Sequence, residues 1–192
     1  MPEPHLNRIP RDELPGPLQA LWDLGMQRTG EATIIEVFAN HPAMLEWYFE
    51  GFYQQIFYNA NPAMTVDVRT KELLRLKLSK QHGCYFCNNF NTVDALEAGI
   101  TQAQIDNLLE PGPEHFNERD LAVIELAAQM MLQNTEGGLN RDLYARLRRY
   151  YDDRQLVEMG FVCAVLTGMA KFIFAFDLVT REPICPVRPQ LA

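Results

Sequence analysis

The chain has 192 residues, of which 47% are hydrophobic and 22% charged, as is ordinary for one globular domain with a full core. Its 17 Lys and Arg against 25 Asp and Glu give a formal net charge of −8, and no basic run is present. This balance excludes an electrostatic surface for nucleic acid or an anionic membrane, and it favours a small, neutral ligand.

The predicted elements in the first half of the chain are all helical. After the break at Pro15–Pro17, apolar residues recur at helical spacing in four stretches, at residues 18–22, 34–38, 43–58 and 73–80. Either Thr65 or Asp67 is expected to cap the fourth helix. The third stretch is rich in aromatic residues on more than one face, which predicts part core and part subunit interface or pocket wall.

The second half continues the pattern. A helix that opens at the cysteines ends before Gly99, and Thr101 with Gln104 forms a capping box for a short helix. Asn117 caps a further helix that Gly137-Gly138 ends, and Arg141–Tyr150 is helical. Asp152 or Asp153 caps a last long helix from Arg154 to about Thr180. Since no run alternates like a strand, the predicted class is all-α.

A single domain over residues 1–192 is expected, with its core at roughly 18–180 and an extended, proline-rich tail at 183–192. The amino terminus shows no secretory pattern. The most apolar stretch, Met159–Ala170, is shorter than the roughly 20 residues of a membrane span, so it is predicted to be a buried helix. The expected location is therefore cytoplasmic.

Cys84 and Cys87 are the two cysteines with chemical potential in "HGCYFCNN". Their spacing brings both sulfurs within disulfide reach in the first turn of a helix, where backbone amides and the helix dipole favour the thiolate. A thiolate attacks disulfides and peroxides. Two other interpretations stay open: a zinc site, which lacks a second close ligand pair, and a pair of inert buried cysteines.

The stretch "RTKELLRLKLSKQHGCYFCNNFNTVDALEAGIT" resembles the alkylhydroperoxidase D-like, carboxymuconolactone decarboxylase superfamily. The family motif is a glutamate, eleven residues, Cys-x-x-Cys, three residues and a histidine. The similarity extends over roughly residues 43–180. It implies an all-α, AhpD-like helical bundle that assembles as a trimer or hexamer. It also implies thiol-dependent reduction of hydroperoxides in some members, and lactone decarboxylation without the cysteine pair in others.

The resemblance assigns roles to matching positions. It implies that Cys87 attacks the peroxide, that Cys84 resolves the oxidised sulfur, and that Glu72 belongs to a proton relay. Helix electrostatics alone favour Cys84 as the attacking thiolate. Phe86 and Asn91 occupy the positions of the two relay histidines, and neither side chain takes up a proton near neutral pH.

Two alternatives concern the bases. His82, two residues before Cys84, is a candidate substitute base, although an exposed histidine at a helix end is the favoured interpretation. Glu72 is alternatively a solvated residue near the start of its helix. A straight helix would put it about 18 Å from Cys84, so it joins the site only if the chain turns back.

The sequence therefore predicts a cysteine-dependent oxidoreductase, peroxidase-like, that takes a small hydroperoxide or another small apolar substrate. Its electrons are expected from a thiol reductant protein, and no cofactor or metal is implied. The alternatives are a lyase like carboxymuconolactone decarboxylase, which works by acid–base chemistry, and an oligomer of the same fold without catalysis. Retention of the cysteine pair opposes the lyase, and loss of the relay histidines favours it.

Overall fold

The computed structural model describes residues 2–135 and 139–186, and this part of the chain is helical, without a strand. After a short 3-10 turn at Arg11–Glu13, the helices are α1 (Gly16–Thr29), α2 (Thr33–Phe38), α3 (Pro42–Glu46), a π-helix (Trp47–Phe57), α4 (Val68–His82), α5 (Tyr85–Glu97), α6 (Gln102–Asp106), α7 (Glu118–Met130), α8 (Arg141–Leu147) and α9 (Asp153–Ala175). The all-α prediction is confirmed.

Helix starts follow the predicted capping residues because each of these side chains satisfies an otherwise unpaired amide of the first turn. Asp67, Asn117 and Asp152 accept from the third amide of α4, α7 and α9. Thr101 and Gln104 form the predicted capping box of α6. Helix starts were therefore readable from the sequence.

Helix ends differ more from the prediction. α8 ends at Leu147 and α9 at Ala175, both earlier than expected. After α9 the chain reverses at Asp177, which has a φ of 55°, and Thr180 and Glu182 then form backbone hydrogen bonds with Tyr85 and Gly83. The described part of the predicted extended tail is instead a turn, with the Cys185 amide donating to Glu182 O. Gly137-Gly138 lies outside the described residues.

The aromatic helix was predicted as an α-helix, and most of it is a π-helix. The Tyr58 amide donates to Tyr53 O, five residues back, at 2.8 Å. The wider turn distributes aromatic rings to two sides, because Phe52 and Phe57 are fully buried against Val162 of α9 while others face a cavity. Such irregular helices are frequent at functional sites.

α4 lies at the centre of the fold, in contact with α5, α7 and α9. Leu73, Leu74 and Leu76 are fully buried, and even Lys71 and Glu72 have no exposed surface. α4 therefore has no solvent face along these residues, so the charges that it carries must be paired inside the protein.

α9 was predicted to be a buried helix and is buried along only part of its surface. Met159, Val162 and Cys163 lie in the core, whereas Val157 is 72% exposed and Phe161 47% exposed. By length and composition alone α9 is able to cross a membrane, a test that core helices of globular proteins also pass.

Candidate active site

A tight turn between α4 and α5 positions the two cysteines. Gly83 ends α4 with a φ of 63°, a conformation that favours glycine. A side chain there would also lie 2.7 Å from the Cys185 amide nitrogen. Cys84 follows in extended conformation as the N-cap of α5, so the predicted helix start at the cysteines is confirmed.

Cys84 and Cys87 are joined by a disulfide, with their Cα atoms 5.2 Å apart. Cys84 Sγ also accepts from the Cys87 amide at 3.1 Å, as an N-cap side chain does. Cys84 is fully buried and Cys87 is half-buried. The two cysteines are therefore bonded to each other, and Cys87 is the more exposed of the two.

Both cysteines lie on the wall of a cavity of about 350 Å³. Most of the wall is aliphatic or aromatic and comes from α1, α2, the π-helix, α5 and α9. Tyr48, Phe49, Tyr53 and Tyr58 of the aromatic helix line it, so that helix supplies both core and pocket wall. A cavity of this size and lining suits a small apolar molecule.

Glu72 is buried and ion-paired, so a solvated Glu72 is wrong. Arg75 binds its carboxylate through two nitrogens, with the shortest contact at 2.6 Å, and also binds Asp94 of α5 at 3.0 Å. Arg28 of α1 binds the same Asp94 at 2.8 Å. Burial raises the pKa of Glu72 to about 7, against the opposing effect of Arg75.

Because α4 and α5 are antiparallel neighbours, Arg75 and Asp94 meet one end of the cavity, about 10 Å along α5 from Cys87. Glu72 does not line the cavity among the described residues, and it reaches the wall only through Arg75. The chain thus does turn back, but the residue that it brings to the Glu72–Arg75 pair is Asp94 of α5, seven residues after Cys87.

His82 is 1% exposed, so the favoured interpretation of an exposed histidine is wrong. Its Nε2 accepts the Leu132 amide at 3.0 Å, which requires the neutral ring with its proton on Nδ1. Burial lowers the pKa of His82 to about 4. His82 lines the cavity as a neutral group, and its only acceptor nitrogen is occupied.

The two positions that replace relay histidines also line the cavity. Phe86 stacks on Phe90 with ring centroids 5.5 Å apart, and Asn91 is 8% exposed. Neither supplies a base. Of the predicted site residues, Cys84, Cys87, His82 and Asn91 therefore share one cavity, and Glu72 lies behind it.

The sequence prediction missed Arg75, Asp94 and Arg28. One signal was available: Arg75 is three residues after Glu72, a spacing that places both on one helix face. Asp94 and Arg28 carried no such signal because their meeting depends on how α1 and α5 pack.

The other cysteines are buried. Cys163 lies in the main core, and burial raises the pKa of its thiol to about 12, as expected for an inert thiol. Cys185 packs in the cluster that contains Cys84. Within residues 2–135 and 139–186, no three His, Cys, Asp or Glu side chains come together as ligands for a metal ion.

Comparisons with known proteins agree with this architecture. Residues 43–129 match the carboxymuconolactone decarboxylase family. The uncharacterized protein YdfG of Bacillus subtilis (strain 168) is 28% identical over 99 residues, which are 51% of this chain and 67% of that protein.

Solved structures resemble nearly the whole chain. The debrominase Bmp8 in complex with 2,3,4-tribromopyrrole has a TM-score of 0.68 at 16% identity, covering 95% of this chain and 94% of that one. A peroxidase-related protein from Ralstonia eutropha JMP134, described as an alkylhydroperoxidase AhpD core, has a TM-score of 0.62 at 12% identity, with coverages of 95% and 94%. At these identities the likeness shows a shared fold.

Proposed function

We propose that the chain is a thiol-dependent oxidoreductase of the alkylhydroperoxidase D-like, carboxymuconolactone decarboxylase superfamily, which the match of residues 43–129 and the shared fold support. Cys84 and Cys87 cycle between dithiol and disulfide and reduce a small apolar hydroperoxide. The observation that carries the proposal is a bonded cysteine pair on the wall of an apolar cavity. We place the enzyme in a reducing, cytoplasmic setting, where a thiol protein restores the dithiol.

Cys87 is the attacking residue in this proposal because it is half-buried at the cavity, whereas Cys84 is fully buried. The Cys87 thiolate attacks the outer peroxide oxygen, the O–O bond breaks, and the alkoxide takes a proton to leave as the alcohol. The Cys84 thiolate then attacks the Cys87 sulfenic acid, the S–S bond forms, and hydroxide takes a proton to leave as water. Two reductant thiols later return the pair to the dithiol and become a disulfide.

No histidine relay assists these steps. His82 offers a neutral N–H and no free acceptor nitrogen, and Glu72 is occupied by Arg75. General base help is typically worth about 10² to 10⁴ in rate, so we expect slower turnover than in relatives that keep the relay.

Thiol counting tests the proposal. The dithiol form is treated with one equivalent of cumene hydroperoxide, and free thiols and cumyl alcohol are measured. We expect the loss of two thiols for each alcohol formed. Cys84→Ser should still consume one equivalent and stop as a sulfenic acid, whereas Cys87→Ser should consume none. Peroxide consumption by Cys87→Ser at the wild-type rate would show that the assignment of the attacking sulfur is wrong.

A second candidate is reductive dehalogenation of an aromatic ring, favoured by the aromatic side chains on the cavity wall. The dithiolate would supply two electrons, so that the aryl halide and a proton become the arene and a halide ion while the disulfide forms. Bromide release from a bromopyrrole, without alcohol formation from hydroperoxides, would select it. Lyase chemistry remains the third alternative, and it would survive replacement of both cysteines by serine.

A further inference from the structure

The segment after α9 pairs directly with the reactive turn. The Tyr85 amide donates to Thr180 O at 3.1 Å, and the Glu182 amide donates to Gly83 O at 2.8 Å. These two bonds flank a single antiparallel bridge between Cys84 and Arg181. In this pattern the paired residues exchange no hydrogen bond with each other, and their side chains stand on the same face with Cβ atoms roughly 5 Å apart.

Arg181 is therefore the cross-strand neighbour of Cys84, and most of its side chain is shielded from solvent. Its side chain is 11% exposed, and its guanidinium lies over the Phe174 ring at 5.9 Å. One nitrogen, Nη2, donates to Phe174 O and lies 3.2 Å from Asp177. Nε and Nη1 are buried and have no hydrogen-bond partner.

Buried donors without partners are costly, and a charged group makes the cost larger. In the disulfide, Cys84 carries no charge that would compensate for it. When the disulfide opens, a thiolate forms beside Arg181, in the same cluster of buried side chains that contains Phe174. Nε and Nη1 are unpartnered cationic donors on the residue that the strand pairing places opposite Cys84.

We infer that Arg181 is the counter-ion of the Cys84 thiolate in the reduced protein. This inference rests on the proposed function for its purpose. When a reductant thiolate attacks Cys87 Sγ, the bond to Cys84 breaks and the electron pair stays on Cys84 as a thiolate. The same charge is required when Cys84 later attacks the Cys87 sulfenic acid. Arg181 stabilises it in both steps and is a positioning residue, because it exchanges no bond with the substrate.

Three carboxylates share this neighbourhood, and one of them, Glu31, accepts from the Thr180 amide at 3.2 Å. Asp177 pairs with Arg181 from the half-exposed turn after α9, and Glu182 accepts from the Asn88 amide group of α5 at 2.9 Å. Asp177 competes with the thiolate for the guanidinium, so its removal should strengthen the pairing with Cys84. Asn is a close replacement for Asp177 because it tolerates the positive φ at that position.

The test measures the fraction of Cys84 that is thiolate, from the ultraviolet absorbance of Cys87→Ser across a range of pH. The absorbance of a variant with serine at both positions is subtracted, which removes the contribution of the other cysteines. Adding Arg181→Met should lower the thiolate fraction near neutral pH by about tenfold. Arg181→Gln keeps an amide donor for Phe174 O without the charge and should give the same loss. In the otherwise unchanged protein, Arg181→Gln should make the disulfide potential about 30 mV more negative, the equivalent of tenfold for two electrons.

Asp177→Asn is the matched control, since it removes a contact of the same segment but keeps the guanidinium. It should leave the thiolate fraction equal or higher. An unchanged thiolate fraction in Arg181→Gln overturns the inference, as does an equal loss in Asp177→Asn, which would assign the effect to loosening of the segment. The titration needs no hydroperoxide. If Arg181→Gln lowers the thiolate fraction but the wild type reduces no hydroperoxide, the proposed function alone is refuted. If the wild type reduces hydroperoxide but Arg181→Gln leaves the thiolate fraction unchanged, this inference alone is refuted.

Discussion

At the scale of single residues, His82 shows how burial changes the use of a titratable group. The hydrogen bond from Leu132 fixes the ring as a neutral acceptor, and burial lowers its pKa from 6.5 to about 4. Below about pH 6.5 the histidine of the unfolded chain takes up a proton, whereas His82 in the folded chain stays neutral until the pH approaches 4. His82 therefore stabilises the fold above about pH 6.5, and this contribution is lost as the pH falls towards 4.

His82→Gln should reduce this acid sensitivity, because the glutamine oxygen still accepts from Leu132 but takes up no proton. We expect the free energy of unfolding to fall less between about pH 7 and pH 5 in the variant than in the wild type, by up to about 2 kcal/mol. Urea unfolding at the two pH values measures it. Equal falls in both proteins would contradict a neutral, buried His82.

At the scale of elements, the turn between α4 and α5 joins the cysteine pair to the segment after α9. Gly83 belongs to both, since its backbone ends α4 and its carbonyl accepts from Glu182. Its Cα faces Cys185 and Ile184 so closely that no side chain fits. The reactive turn can therefore pack this closely against the segment that carries Arg181 only because residue 83 has no side chain.

Gly83→Ala should therefore destabilise the protein through both conformation and contact. The left-handed conformation costs an alanine about 1 kcal/mol, and the contact with the backbone of Cys185 should raise the total to about 3 kcal/mol. Unfolding by denaturant gives the free energy of unfolding of this variant and of a matched control. Gly30→Ala is the control, because Gly30 also has a positive φ of 75° but no atom lies within 4 Å of the place that a methyl group would take.

A loss in Gly83→Ala no larger than in Gly30→Ala would mean that the segment after α9 moves aside without cost. It would then be too loosely held to keep Arg181 beside Cys84.

At the scale of the whole molecule, α9 exposes large apolar side chains such as Val157 and Phe161. Its exposed residues recur at alternating intervals of four and three, which places them on one stripe: Val157, Phe161, Ala164, Gly168, Lys171 and Ala175. This spacing is typical of a helix that packs against another helix. We propose that the stripe is the contact between subunits in a homo-oligomer, a trimer or hexamer as the family resemblance implies.

Phe161→Glu should convert the oligomer to a monomer, because each contact would then bury an unpaired carboxylate. Size-exclusion chromatography with light scattering gives the mass of each species. Leu96→Glu is the control, since Leu96 on α5 is similarly exposed, at 42%. If the wild type is a monomer, or if Phe161→Glu keeps the mass of the oligomer, the stripe on α9 is not the contact between subunits.

The sequence by itself determined the helical class, the family resemblance, most helix starts and the cysteine pair. These features depend on residues close together in the chain: periodic apolar residues, a capping side chain and its amide, and two sulfurs within one turn. Asn117 and the helix start at Cys84 were found in this way, and Asp67 was one of two candidates, with Thr65.

Only the tertiary structure decided what surrounds the cysteines. Arg75, which pairs with Glu72 within α4, also binds Asp94 because α4 and α5 lie side by side, and His82 is neutral because a distant amide reaches its ring. Arg181 approaches Cys84 across almost a hundred positions of sequence. Burial and long-range pairing set the charge of such groups, and neither follows from the spacing of residues along the chain.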